Sequence, residues 1–345
     1  MNSLFTPPAG DLSGRTILLQ VVPYFGLDQV IIQALRRRGA VVDHLVDRPY
    51  QSAAMHAVAK FARESVANRT ARLYRSQLAE WGRSHYDHIL IVNGQTMSDA
   101  MLAELKQRFP RACMTFYIWD SFENKPYAVR SLHRYDRALS FDPDARSHGL
   151  RLRPLFYAPE FDLAGDPPTD FDLSFIGTAH SDRPSILAAI DRELGPNART
   201  FWYQYLKAPW VLNYQRLVNP AFHGLPRTAF RFEPMPRATV RDVFARSRGI
   251  VDIEHDRQRG LTIRTFETLG ARKKLLTTNA GIRDTEFYRP ENIAVIDRHR
   301  PHVDPEFLRT AMVELPQDMR YRYSVDGWID DVLGLTVAQP LPALQ

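Results

Sequence analysis

The chain has 345 residues, a length that suits two domains better than one. Its composition, 44% hydrophobic and 24% charged, excludes a disordered polymer, and a net charge of +6 without a long Lys/Arg run suits small anionic ligands or an anionic membrane surface rather than nucleic acid. The one cysteine, Cys113, excludes an intrachain disulfide framework and a cysteine zinc site.

In chain order, residues 16–22 form an apolar strand. Residues 26–38 form an amphipathic helix with Val30, Ile31 and Leu35 on one side, closed by Arg36, Arg37 and Arg38 against its dipole and stopped by Gly39. Residues 40–46 return as a strand, giving a βαβ opening. A long helical region covers 53–81. Strands follow at 88–92 and 114–118, each ending in polar residues, and a short one at 138–141. Cys113 begins an apolar run and reads as a buried structural thiol. The segment 159–170, rich in Pro, Asp and Gly, reads as the domain boundary.

A second α/β pattern starts at Phe171: a strand at 171–176, a polar turn at 177–182 and a helix at 184–194 with Pro184 in its first turn. Phe201, Trp202, Tyr203 and Tyr205 read as core or interface aromatics, or as a platform for a sugar or base. A short strand at 229–232 and a helix at 238–246 follow. Residues 249–279 are the most informative stretch: a strand at 249–254, a charged loop, a helix at 261–269 and a strand at 274–278. A last strand at 292–296 and a helix at 325–333 complete the pattern. The domains are expected at 1–160 and 171–320, with a C-terminal helix and tail at 321–345. The fold class is α/β: two Rossmann-like domains facing across a cleft, with polar clusters following the strands.

Within 249–279, Gly260 precedes a helix whose first turn is Leu261, Thr262 and Ile263. Free amides and the helix dipole make that end a seat for phosphate, and Thr262 is alternatively a plain cap. Arg264 and Glu267, three apart, share a face. Glu267 is read either as a bidentate acceptor for ribose hydroxyls or as an ion-pair partner of Arg264. Arg264 in turn either meets a phosphate or holds Glu267. Gln258 and Asn279 flank this candidate phosphate seat. The second phosphate-loop candidate is 177–183. There Gly177 lets the backbone approach a ligand, Thr178 and His180 line the turn, and Arg183 reaches a diphosphate; the alternative is an ordinary turn with Ser181 or Asp182 as cap. Asp120 follows a buried strand and is read as the base for an acceptor hydroxyl or as a turn cap. Tyr24 and Asn93 are acceptor-side candidates by position. Asp252 and Glu254 resemble a D-x-D metal motif but fit strand alternation better, and the histidines lack zinc-site spacing, so no metal site is expected.

The segments FDLSFIGTAHSDR, DRQRGLTIRTFETLGARKKLLTTN and EFYRPENIAVIDR resemble the CgeB-like and capsule or lipopolysaccharide biosynthesis glycosyltransferases of the GT-B fold, best over 171–298. The resemblance implies a nucleotide-diphospho-sugar on the C-terminal domain and an acceptor, glycan or lipid-linked, on the N-terminal domain. It implies no metal or other cofactor, with the leaving diphosphate held by helix amides and basic side chains. Related retaining enzymes carry an acidic pair spaced E-x7-E. Glu267 matches its second position and Arg259 stands at its first. With Asp120, Glu267 is thus a catalytic candidate. Other readings are a nucleotide-sugar epimerase or polyol-phosphate transferase of related fold, or a non-catalytic nucleotide-sugar-binding protein. The start of the chain lacks signal-peptide character and no apolar stretch spans a bilayer. A cytoplasmic protein is expected, at most in peripheral contact with the inner face of the membrane, without nucleic acid as partner.

Overall fold

The computed structural model describes residues 10–47, 63–122, 125, 129–163, 165, 167–256 and 258–335. The chain forms two compact units. One runs to Leu155 and takes in the helix that begins at Val325; the other runs from Phe156 to Ser324.

The first unit opens with β1 (Thr16–Val21), α1 (Leu27–Arg37) and β2 (Val41–Val46). It continues through α2 (Arg63–Trp81), β3 (His88–Val92), α3 (Asp99–Arg108), β4 (Cys113–Ile118), β5 (Arg137–Ser140) and β6 (Arg151–Leu152). The strands form one sheet in the order β2-β1-β3-β4-β5-β6, with every pair parallel. Every residue of β1 is buried, as expected where helices cover both faces of a parallel sheet. Helix α1 buries Val30, Ile31, Ala34 and Leu35. It ends where Gly39 adopts φ 92°, a left-handed conformation that a side chain disfavours. The core joins Leu18, Ile89, Ile91 and Met114 to Tyr74 and Leu78 of α2. Residues 53–62 of the expected long helix lie outside the described residues. Helix α3, which the sequence reading left unassigned, is capped by Ser98, whose hydroxyl accepts from the Met101 amide at 3.2 Å.

The second unit contains β7 (Phe171–Thr178), α4 (Arg183–Leu194), β8 (Thr200–Tyr205), α5 (Pro209–Val218), β9 (Phe230–Arg231) and α6 (Arg237–Ala245). After these come β10 (Ser247–Asp252), α7 (Ile263–Gly270), β11 (Lys274–Thr277) and β12 (Ile293–Val295), then α8 (Pro305–Arg309) and α9 (Gln317–Arg322). This sheet is also wholly parallel, in the order β12-β11-β10-β7-β8-β9. Read from β9 and counted within the unit, that is the Rossmann order 3-2-1-4-5-6. Leu173, Phe175, Leu187, Ile190, Val251 and Leu276 form its core. The aromatic run from Phe201 to Tyr205 is strand β8, paired along β7, because aromatics suit a half-buried pleated surface.

Two boundaries differ from the sequence reading for packing reasons. The segment 159–170 is rich in turn residues, yet it is held to the second unit. Phe161 is buried against Phe244 at 5.6 Å between ring centroids, and Glu160 pairs with Arg237 at 2.7 Å. The last helix, α10 (Val325–Leu333), belongs to the first unit. Its Trp328 is fully buried edge-on to Tyr117, Asp330 pairs with Arg38, and Asp331 receives Arg153 at 2.8 Å.

Candidate functional site

In the second sheet the chain runs from β7 outward to β8 and β9, then crosses to β10 on the other side of β7 and continues to β11 and β12. The connections leaving β7 and β10 therefore diverge. Ligands of open α/β sheets bind at the carboxyl ends of such a pair, which makes this edge the candidate site. Three segments bound it: the turn 179–182, the loop 253–262, and Thr278 with Asn279 after β11.

The loop 253–262 is tied to the strand it leaves. Thr262 caps α7, accepting from the Arg264 amide at 3.1 Å, and its hydroxyl donates to Asp252 at 2.7 Å. Thr265 donates to the same carboxylate oxygen at 2.9 Å. Burial pushes the Asp252 carboxyl up, and the hydrogen bond from Thr262 opposes that shift most. Within the loop, Gln258 donates to the Gly260 carbonyl at 2.8 Å, and the Asn279 amide reaches the Arg259 carbonyl at 3.3 Å. Asn279 also accepts from the Gly281 amide at 3.0 Å, capping the turn 280–284. Leu261 is half-buried beside the cap. The helix begins at Ile263, two residues later than expected, because Thr262 is extended (φ −75°, ψ 164°) and serves as cap.

Arg298 staples two of the segments. Its guanidinium pairs with Asp182 at 2.6 Å and with Glu254 at 2.7 Å, and donates to the Glu254 carbonyl at 2.8 Å. Thr278 donates to the other Glu254 oxygen at 2.5 Å. The turn after β7, the loop after β10 and the end of β11 are thus joined around one guanidinium. The imidazoles of His180 and His255 lie 5.3 Å apart across the two loops. Burial, then the positive charges of Arg183 and His255, push the His180 ring down to about 3, so it is neutral near pH 7.

The structure corrects several expected contacts. Gly177 is not in the turn: it lies within β7, paired with Gln204, and a Cβ there would come within 2.9 Å of the Phe175 ring. Its lack of a side chain makes room for internal packing rather than for a ligand. The Thr178 carbonyl accepts from Arg183 at 2.9 Å, and the same guanidinium donates to the Ile253 carbonyl and stacks on Phe175. Burial pushes Arg183 down to about 10. Arg183 here straps the two strand ends together. Arg264 turns inward as well, onto Glu267 at 2.6 Å, the Ile176 carbonyl at 3.0 Å and the face of Phe244. Glu267 is 4% exposed, and its second oxygen faces Arg237 at 3.7 Å. Burial raises its carboxyl, opposed by Arg264 and then Arg237. The ion-pair alternative describes this carboxylate, and a ribose contact would require it to leave its arginines.

At the carboxyl end of the first sheet the switch of strand order lies between β1 and β3. Tyr24 and Phe25 follow β1, edge to face at 4.6 Å, 51% and 56% exposed, with Phe25 at a positive φ of 48°. Asn93 follows β3 but is buried; its side-chain oxygen accepts from the Trp119 amide at 3.1 Å, pinning the exit of β4. This replaces a ligand contact with a structural one. Asp120 is half-buried, accepts from the adjacent Ser121 amide at 2.9 Å, and lies 3.7 Å from the Lys125 ammonium.

Sequence reasoning missed Arg298, Glu254, Asp252 and Phe25 as site residues. Only the shared spacing of polar residues after successive strands pointed to that edge. Among the described residues, no group of three or more His, Cys, Asp or Glu side chains could hold a metal ion, and no helix is long and apolar enough to cross a membrane.

No family model matches the sequence, and no curated protein matches it significantly. Solved structures do. A glycosyltransferase from Rickettsia africae ESF-5 aligns over 93% of this chain and 98% of its own, with a TM-score of 0.51 at 10% identity. A UDP-N-acetylglucosamine 2-epimerase aligns over 95% of this chain and 98% of its own, with a TM-score of 0.50 at 10% identity. Two wholly parallel six-stranded sheets with covering helices, in a chain that superposes on such proteins over nearly their full length, give this chain the GT-B fold of two Rossmann-like domains.

Proposed function

We propose that the protein is a glycosyltransferase that binds a nucleotide-diphospho-sugar on its second unit, at the carboxyl ends of β7 and β10. The observation that carries this reading is the switch point itself. The N-terminus of α7 opens there, and Arg298 ties the turn 179–182 to the start of the loop that leads into that helix. Outward amides of the first turn of α7 receive the diphosphate. With Arg183 and Arg264 turned inward, the neutral His180, exposed His255 and the segment from Gln258 to Thr262 line the ligand side. The fold shared with a glycosyltransferase and a nucleotide-sugar epimerase supports the class of ligand. No metal is assigned a step; the leaving diphosphate is stabilised by helix amides.

On the first unit, Tyr24 and Phe25 offer an aromatic platform for a sugar acceptor. Asp120 at the end of β4 is the candidate base for its hydroxyl. The nature of the acceptor, glycan or lipid-linked, and a cytoplasmic setting belong to the same proposal. A second reading, nucleotide-sugar epimerase, is favoured by the fold shared with such an enzyme.

A thermal-shift panel of nucleoside diphosphates and nucleotide sugars tests the site. A ligand at ~100-fold its dissociation constant stabilises by about 2.7 kcal/mol. No shift with any nucleotide overturns the proposal. Incubation of a binding donor without acceptor then separates the two activities: an epimerase alters the sugar alone, whereas a transferase releases nucleoside diphosphate only when acceptor is present.

A further inference from the structure

Helix α5 turns an apolar strip outward. Trp210 is 69% exposed, Tyr214 55%, Leu217 82% and Val218 52%. At the helical angle per residue these four fall within an arc of about 100°. Leu212, the buried residue of the helix, lies on the opposite side and ties it to Leu206, Phe222 and Phe230. The strip is therefore not surplus core. The core side of the helix is already occupied, and an apolar patch of this kind marks a contact surface.

The surrounding charge states what the contact is. From residue 194 to 232 the sequence contains no Asp or Glu, while Lys207, Arg216, Arg227 and Arg231 fall within that stretch. Lys207 and Arg227 are exposed. Arg216 lies on the Leu212 side of the helix, half-buried, and donates to the Leu225 carbonyl at 2.6 Å. Amphipathic Trp and Tyr rings set among aliphatic tips, in a stretch of sequence whose charged residues are all cations, match the interface of an anionic bilayer. A second copy docked on the same face would bring two basic stretches together, which like-charge repulsion opposes.

We propose that α5 seats the protein on an anionic lipid surface. Trp210, Tyr214, Leu217 and Val218 enter the headgroup region, and Lys207 and Arg227 lie against lipid phosphates. The test is sedimentation of the full-length protein with vesicles of phosphatidylglycerol and phosphatidylcholine, and with phosphatidylcholine alone. The protein is expected to pellet with the anionic vesicles and to release at high salt. The double variant Trp210→Ser/Leu217→Ser is expected to lose on the order of tenfold or more in partitioning, with an unchanged circular dichroism spectrum and melting temperature. Lys207→Glu/Arg227→Glu is expected to weaken binding to anionic vesicles only. Failure of the wild-type protein to pellet at low salt overturns the proposal, as does equal partitioning of the Trp210/Leu217 variant. Self-association that this variant abolishes, without vesicle binding, assigns the face to a second copy and equally overturns it.

Discussion

The hydroxyl of Thr262 donates to the buried carboxylate of Asp252 at 2.7 Å while accepting the Arg264 amide. One side chain thereby caps α7 and fixes its mouth to the end of β10. Thr262→Ala is expected to cost about 1 kcal/mol of stability, the usual worth of such a cap. Nucleotide affinity should fall with it, because the amides of the first turn lose their register. Thr262→Ser should restore both. Denaturant unfolding and titration calorimetry on the three proteins check this.

Glu267 separates the two roles weighed for it. Glu267→Ala leaves the Arg264 guanidinium without its carboxylate and is expected to destabilise by roughly 3 kcal/mol, as when one partner of a buried pair is removed. Glu267→Gln keeps the shape and should leave nucleotide affinity within about threefold if the ion pair is its whole role. A nucleotide affinity that collapses in the Gln variant at unchanged stability would instead establish the ribose contact.

Arg298 bridges Asp182 of the turn after β7 and Glu254 of the loop after β10. Arg298→Ala releases Asp182 and Glu254 together, so the turn after β7 and the loop after β10 must be ordered by the ligand itself. An affinity loss of about tenfold is expected from that ordering cost. Arg298→Lys, which cannot bridge both carboxylates in a planar fork, should recover only part of it. Calorimetric titration with the best nucleotide of the panel measures the difference.

The stability of the second unit should depend on pH through His180. Its ring is held at about 3 in the folded protein, below the ordinary imidazole value of about 6.5. The unfolded chain therefore binds the proton first. This contribution is fully present above about pH 6.5 and is lost as pH falls, at up to about 1.4 kcal/mol per pH unit. His44 and His88, which lie in the first unit, are also lowered by burial and give that unit a dependence of the same sign. Urea unfolding across that range should show the slope, reduced but not abolished in His180→Gln.

Asp120 provides the test of catalysis as distinct from binding. If it takes the proton from the acceptor, Asp120→Asn should lower kcat by about a hundredfold or more at near-normal donor affinity. An unchanged rate would leave it with a local role, the bond to the Ser121 amide and the charge of Lys125 beside it.

The sequence by itself determined the alternation of strands and helices, the parallel sheets and the edge at which polar residues gather. Periodicity and turn chemistry are local: 88–92 and 325–333 read directly as strand and helix, and other elements matched within a few residues. Helix α5 carries an apolar stripe at Trp210, Tyr214, Leu217 and Val218 that the sequence displays, but only the fold shows that this stripe faces outward. Only the tertiary structure decided which way each charged side chain points. Arg183, Arg264 and Glu267 sit at the spacing a phosphate site would use, yet burial turns them into internal straps. Arg298 finds Asp182 116 residues away in the chain. Such pairings depend on which strands become neighbours, so local spacing cannot encode them, and the roles of these arginines rest on the fold that brings their partners within reach.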